Sequence, residues 1–364
     1  MEEEAAVELN ISLPALLTQR VAAHGAEIVL RKKDRGIWKA TTWSALDDNV
    51  RAVGQGLLAA GFGKGDVGAI VSDTRPEAVY ADLAILGAGG ASVVIDTDDD
   101  GDRVAHILRS SGARFVFVEN EEQLDKILAL RADCPGLGRI VIFDMKGLRD
   151  FNDPQCLSLE AFIVSGQGDR TWDSAVASVA ADDTAIIRFQ AGRLSVGEPL
   201  SHAAIMRMLA DAQSTFSLQS GDERLAVLSM ADSTERIFGL YLSLNNRVIS
   251  NYLENPETAI ENLQQLQPTV FGANTEAWER LHARITQAAA LATPVQRWLY
   301  GWAISAGRLG GTMGALANTF VLHAVRRELG LNRLRLAYVG DGAVSAEVDG
   351  WARALGIEIQ TVNT

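Results

Sequence analysis

The sequence predicts an α/β protein of two consecutive doubly wound lobes, residues 1–180 and 181–364. Three observations lead there. Segments with apolar residues at helical spacing alternate with short runs that are apolar throughout, the mark of parallel strands buried on both faces. Glycines punctuate the junctions, as at Gly61, Gly63 and Gly65. The chain has 364 residues, 48% apolar and 22% charged, enough for two cores at ordinary globular composition.

The elements follow in order. Leu46–Ala60 puts Leu46, Val50, Val53, Leu57 and Leu58 on one helical face, and the glycines after it end the helix. Val67–Val71 (VGAIV) reads as a buried strand, Glu77–Leu86 as a helix and Ala91–Ile95 as the next strand. Asp102–Ser111 is helical, Arg114–Val118 (RFVFV) a strand, and Leu124–Arg131 with Ile140–Phe143 repeats the pair. A polar stretch from about Ser165 to Asp183, containing GQGD and ADD, reads as a linker or surface excursion. Beyond it come strands at Thr184–Arg188, Leu225–Leu228, Val248–Ser250, Thr269–Phe271 and Leu334–Val339, with helices between them such as Glu276–Ala290 and Ala346–Leu355. Parallel strands need such crossover helices, and strands can exchange between the lobes.

Charge and composition exclude several classes. With 33 Lys+Arg against 46 Asp+Glu the net charge is −13, which argues against nucleic acid, whose binding neutralises phosphates. Cys134 and Cys156 have no CxxC spacing, so neither zinc nor a disulfide framework is indicated. The opening MEEEAAVELN lacks the basic, then apolar, character of a secretory signal, and a reducing cytoplasm is the expectation. The most apolar stretches, Ala78–Ile95 and Ala303–Val325, are interrupted by Asp82 and by Arg308, Asn318 and His323. They read as core segments rather than membrane spans, with peripheral membrane contact left open for the second.

Several segments resemble long-chain acyl-CoA synthetases of the adenylate-forming superfamily. TTWSALDDNVRAVGQGLLAAGFGKGDVGAIVSDTRPEAVYADLAILGAGGASVVID is similar to that family's opening stretch, with Thr74-Arg75-Pro76-Glu77 at its N-R-P-E segment. ADSTERIFGLYLSL resembles its A-H-x-x-E-R segment, and PTVFGANTEAWERLHARI its P-T-V-F-x-x-V-P-R-x-W-E-K-I. LRLAYVGDGAVSAEVDGWARALGIEI is similar to the strand, glycine turn and helix before the adenine pocket. The resemblance implies the N-terminal α/β lobes of that family. It also implies a reaction in which a carboxylate and ATP give an acyl-adenylate and pyrophosphate before transfer to coenzyme A. Such chemistry needs a loop rich in Gly, Ser and Thr around the phosphates, a Mg²⁺, and a Lys at the reacting phosphorus.

The family's phosphate loop, T-S-G-T-T-G-x-P-K-G, falls on Arg188-Phe189-Gln190-Ala191-Gly192-Arg193-Leu194-Ser195-Val196-Gly197, just before Ser201 and His202. The hydroxyl positions are lost, Pro has become Ser195 and Lys has become Val196. Arg188 and Arg193 read as two surface arginines able to attract an anion by charge alone. The His of A-H-x-x-E-R is Asp232, while Glu235 and Arg236 remain. Asp232 and Glu235 read as a solvated acidic helix start rather than a metal pair. Gly340-Asp341-Gly342-Ala343 keeps the family's turn with a carboxylate beside it. Asn363 and Thr364 fall on the Tyr and Gly of Y-G-x-T-E, and neither the small barrel nor the C-terminal domain with its Lys is matched.

The five histidines have no metal spacing, and Ser201 reads as a helix cap preceding His202. Asp96 to Asp102 is similar to a calcium loop without its closing Glu, and reads as an acidic loop capping the following helix. The stretch Trp298–Met313 is a candidate partner or membrane contact, with a buried helix the alternative. No catalytic residue, metal ligand or resident cofactor is assigned. The expectation is an acyl-CoA-synthetase-like protein without catalysis, with a binding, regulatory or scaffold role linked to fatty acids. Its partners would be a fatty acid, acyl-adenylate or acyl-CoA, and a second copy or another protein. The alternative is an active ligase, or half of one completed by a partner chain, which would use ATP/AMP and Mg.

Overall fold

A computed structural model describes residues 10–190, 192–309, 321–340 and 342–362. Asp341, Met313, Asn363 and Thr364, named above, and Ala191 of the loop lie outside the described residues. The chain starts with α1 (Leu13–His24), β1 (Ile28–Asp34), β2 (Ile37–Thr42) and α2 (Trp43–Ala59). Then come β3 (Val67–Val71), α3 (Pro76–Gly87), β4 (Ala91–Ile95), α4 (Gly101–Ser111), β5 (Phe115–Val118) and α5 (Glu121–Leu130). These are followed by β6 (Arg139–Ile142), β7 (Cys156–Ser158), α6 (Leu159–Ser165), α7 (Trp172–Ser178), β8 (Thr184–Arg188), β9 (Glu198–Ser201) and α8 (His202–Thr215). The remainder runs β10 (Glu223–Ala226), a π-helical segment Thr234–Tyr241, α9 (Leu242–Asn246), β11 (Ile249–Tyr252), α10 (Ala259–Leu266) and β12 (Val270–Ala273). It closes with α11 (Thr275–Leu291), α12 (Pro294–Leu309), α13 (His323–Leu329), β13 (Leu336–Gly340), α14 (Ala346–Ala354) and β14 (Ile359–Val362).

Among the described residues the strands form two seven-stranded sheets, ordered β7-β6-β5-β3-β4-β8-β9 and β14-β13-β12-β10-β11-β1-β2. In the first, β3 pairs in parallel with β4 and β5, and β9 turns back antiparallel on β8. The strands β3, β4 and β5 are buried along their whole length, as a sheet covered on both faces requires. Helix α2 buries Leu46, Val50, Val53 and Leu57, and Thr42 caps it by accepting the Ala45 N–H. Cys134 and Cys156 are buried free thiols, and burial pushes Cys156 up to about 11, which makes it a packing residue.

The two compact units divide elsewhere than at residue 180. The first takes described residues within 1–30, 40–211 and 229–237, and the second takes 31–39, 212–228 and 238–362. Strands β8 and β9 therefore belong to the first sheet, and β1 and β2 to the second. The polar stretch after Ser165 is not a linker. It contains α7, whose Trp172 is buried between Gly54 of α2 and Gly87 of α3. A β-carbon at either glycine would overlap the indole, so the two helices leave a notch that one tryptophan fills.

Ala78–Ile95 is α3 followed by β4, and no described helix is long and apolar enough to cross a membrane. In the second unit Ala303 and Ala306 of α12 are buried, whereas Trp298 is 66% exposed beside exposed Leu291 and Val295. The start of α12 thus presents a surface that the buried-helix expectation did not include.

Candidate functional site

In the first unit β8 and β9 place Arg188 opposite Glu198 and Thr184 opposite Ser201. The described residues between these strands, 189–190 and 192–197, therefore belong to a hairpin loop, the stretch on which the family's phosphate loop falls. Arg188 is not a surface arginine: it is half-buried and paired with Glu198 at 2.9 Å. Arg193 is exposed. Gly192 has φ +66°, the left-handed region glycine enters without strain, and a β-carbon on Gly197 would press on Ile187 and Phe189.

Helix α4 holds this loop by its carbonyls. The Arg103 guanidinium donates to the carbonyl of Gln190 at 2.9 Å and to that of Arg193, and pairs with Asp99 at 2.7 Å. One turn on, His106 Nε2–H donates to the Ser195 carbonyl at 2.8 Å, with its ring edge-on to Phe189. Two loop N–H groups are used internally, that of Gln190 on Ser195 Oγ at 3.2 Å and that of Arg193 on the Gln190 carbonyl at 3.4 Å. A phosphate cradle needs N–H groups and hydroxyls aimed at the anion. Here Val196 stands where the lysine is expected and is 89% exposed. Among the described residues the loop lacks the cradle's lysine, and its one hydroxyl, Ser195 Oγ, accepts the Gln190 N–H.

The acidic loop before α4 has its own cation. Lys126 Nζ donates to the carbonyls of Thr97 at 2.7 Å and Asp99 at 2.9 Å, oxygens of the kind a hard metal ion would take. Asp100 caps α4 by accepting the Arg103 N–H. Among the described residues no three His, Cys, Asp or Glu side chains converge on a metal position.

Asp232 accepts the Thr234 N–H at 2.8 Å, which caps the π-helical segment. Glu235, expected as part of a solvated start, is instead buried, and so is Arg236. Arg236 pairs with Asp82 and donates to the Ser92 carbonyl at 3.3 Å, while Ser92 Oγ–H donates to Asp82 at 2.7 Å. An ion pair in a core needs such extra bonds to offset its desolvation. Asp82, the charge that interrupts the apolar stretch, is one of the groups that hold Arg236.

Ser201 caps α8, accepting the Ala204 N–H at 3.2 Å, and the buried His202 Nδ1 accepts the Leu13 N–H at 3.3 Å. Burial pushes the His202 pKa down to about 4. Its folded value lies below the unfolded value near 6.5, so as pH falls the unfolded chain takes up the proton first. Stability is unaffected above pH ~6.5 and is lost progressively toward pH 4, by about 3 kcal/mol at this residue. Urea midpoints across that range should fall less steeply in His202→Asn, which keeps an acceptor near Nδ1 but does not titrate. An identical slope in both proteins would show that His202 is not buried neutral.

In the second unit β13 ends at Gly340, and Gly342 has φ +157°. Before them, Tyr338 stacks on Phe216 at 5.6 Å and lies over Gly272, where a β-carbon would overlap its ring. The structure thus gathers Arg188, Gly192, Arg193, Gly197, Ser201, His202, Glu235 and Arg236 in the first unit, and Gly340 and Gly342 in the second. Arg103, His106, Lys126, Asp82 and Ser92 were missed by sequence reasoning. Asp82 had a signal, since an aspartate inside an apolar run needs a buried partner.

The sequence model of AMP-binding enzymes matches residues 17–364. The chain belongs to the AMP-binding enzyme family. It is 21% identical over 364 aligned residues to the long-chain-fatty-acid–CoA ligase ACSBG2 of Xenopus laevis, covering 93% of this chain and 48% of that protein. It is 22% identical to the ACSBG2 ligase of Rattus norvegicus, covering 97% of this chain and 56% of that one. This AMP-binding family chain therefore spans about half the length of these relatives. The fold superposes on the adenylation domain of a Mycobacterium chelonae carboxylate reductase with a TM-score of 0.75 at 15% identity, over 97% of this chain and 57% of that one. It matches the N-terminal domain of FACL13 from Mycobacterium tuberculosis with a TM-score of 0.69 at 14% identity, over 96% of this chain and 75% of that one. The two sheets are those of the N-terminal part of adenylate-forming enzymes, as the sequence predicts.

Proposed function

We propose that this AMP-binding family chain is an acyl-CoA-ligase-like binding protein that does not itself adenylate a carboxylate. Its ligand is a fatty acid or an activated form of one, acyl-adenylate or acyl-CoA, and its role is to bind, regulate or scaffold. One observation carries the reading: the loop 189–197 presents carbonyls to Arg103 and His106 and an aliphatic side chain where a lysine is needed. Transition-state charge on a transferring phosphorus is stabilised by aimed donors and cations, and this loop aims neither. The reading includes a cytoplasmic setting, a second copy or another protein as partner, and peripheral membrane contact. The exposed Leu291, Val295 and Trp298 support the last two.

Calorimetric titration with a non-hydrolysable long-chain acyl-adenylate mimic should show micromolar binding. The same sample should give no fatty-acid-dependent pyrophosphate exchange, with or without Val196→Lys. Exchange by the unmodified chain would overturn the loss of chemistry, and absence of binding would overturn the ligand class. A strictly monomeric sample in sedimentation would remove the second copy.

A further inference from the structure

We propose that the cleft between α1, α2, α3 and α7 in the first unit binds a small primary amine carrying an apolar tail. The cleft holds about 200 Å³, more than the roughly 150 Å³ that accommodates a benzene in an engineered protein cavity. Its inner wall is apolar and buried, made by Leu17, Val50, Leu83 and Trp172. Its polar end is formed by Asp47, Arg51 and Asp173.

The three charged groups do not pair off evenly. Arg51 is bonded to Asp173 at 2.8 Å and forms only a longer ion pair with Asp47, at 4.0 Å, beyond hydrogen-bond range. The half-buried Asp47 carboxylate thus accepts no hydrogen bond from any described residue, although burial already pushes its pKa up. Two carboxylates against one guanidinium leave one negative charge unbalanced at the end of an apolar cleft. A compact ammonium brings three donors and one positive charge, and its tail has the inner wall to lie on. A fatty acid would bring a carboxylate to Asp47 and be repelled, so this site is distinct in chemistry from the ligand class proposed above. It uses none of the residues of the 189–197 loop.

The test is calorimetry of the whole chain with n-hexylamine, 1-hexanol and hexanoate. Hexylamine should bind saturably at one site, about tenfold tighter than hexanol, the factor a charge-assisted bond supplies. Hexanoate should not bind. Asp47→Asn should bring hexylamine down to the hexanol level and leave hexanol unchanged. Ala22→Trp, at the exposed rim, should fill the cleft and abolish both, with melting curves showing that each variant is folded. Equal affinity for hexylamine and hexanol, undiminished hexylamine binding in Asp47→Asn, hexanoate binding as tight as hexylamine, or no saturable hexylamine binding would each overturn the proposal.

Discussion

Replacing Asp82 by Ala should lower the unfolding free energy by about 3–5 kcal/mol, the cost of removing one partner of a buried ion pair. Asp82 is fully buried and Arg236 only 4% exposed, so water cannot reach in to take the carboxylate's place. The double replacement Asp82→Leu with Arg236→Met should cost less than Asp82→Ala alone. Both desolvation penalties then vanish and apolar volume remains. Urea unfolding of wild type, singles and double at pH 7 reads the cycle directly. A loss under about 1 kcal/mol in Asp82→Ala would mean that Arg236 depends on other partners.

Trp172→Ala should cost a similar amount, about 3–5 kcal/mol, because it empties a site the backbone cannot close. The indole is held between two helices that have a glycine where it sits. That geometry gives the experiment a sign to check. Gly54→Ala in wild type places a methyl group into the indole and should destabilise by about 1–3 kcal/mol. In the Trp172→Ala background the same change meets an empty site and improves helix propensity, so it should stabilise by up to ~1 kcal/mol. Denaturation midpoints of the four proteins decide it. The same sign in both backgrounds would show that Trp172 does not occupy the notch.

What the sequence disclosed depended on how each segment is buried. VGAIV, ASVVI and the FVFV that follows Arg114 are buried along their whole length, so runs that are almost wholly apolar announced them. The strands at Ile28–Asp34 and Ile37–Thr42 were hidden because their charges, such as Lys32, Lys33 and Lys39, break both the run and the alternation. Glu198–Ser201 was hidden by its Glu and Pro, which read as loop. Helix α7 has seven residues, too few to show a period, and its importance lies in the single side chain Trp172. At the candidate site the departures from the family loop were legible by residue type. The hold of Arg103 and His106 was not, because it runs through backbone carbonyls about ninety positions away, and carbonyls carry no letter in the sequence.

That hold couples the loop to α4. A redesign confined to residues 189–197 would place glycines, hydroxyls and a lysine on a hairpin still pinned at Gln190, Arg193 and Ser195 by α4. Removing Arg103 would strip the Gln190 and Arg193 carbonyls of their donor and leave Asp99 without its guanidinium, while His106 still held the Ser195 carbonyl. The conformation of the loop is thus set in part by a helix that lies outside it in sequence.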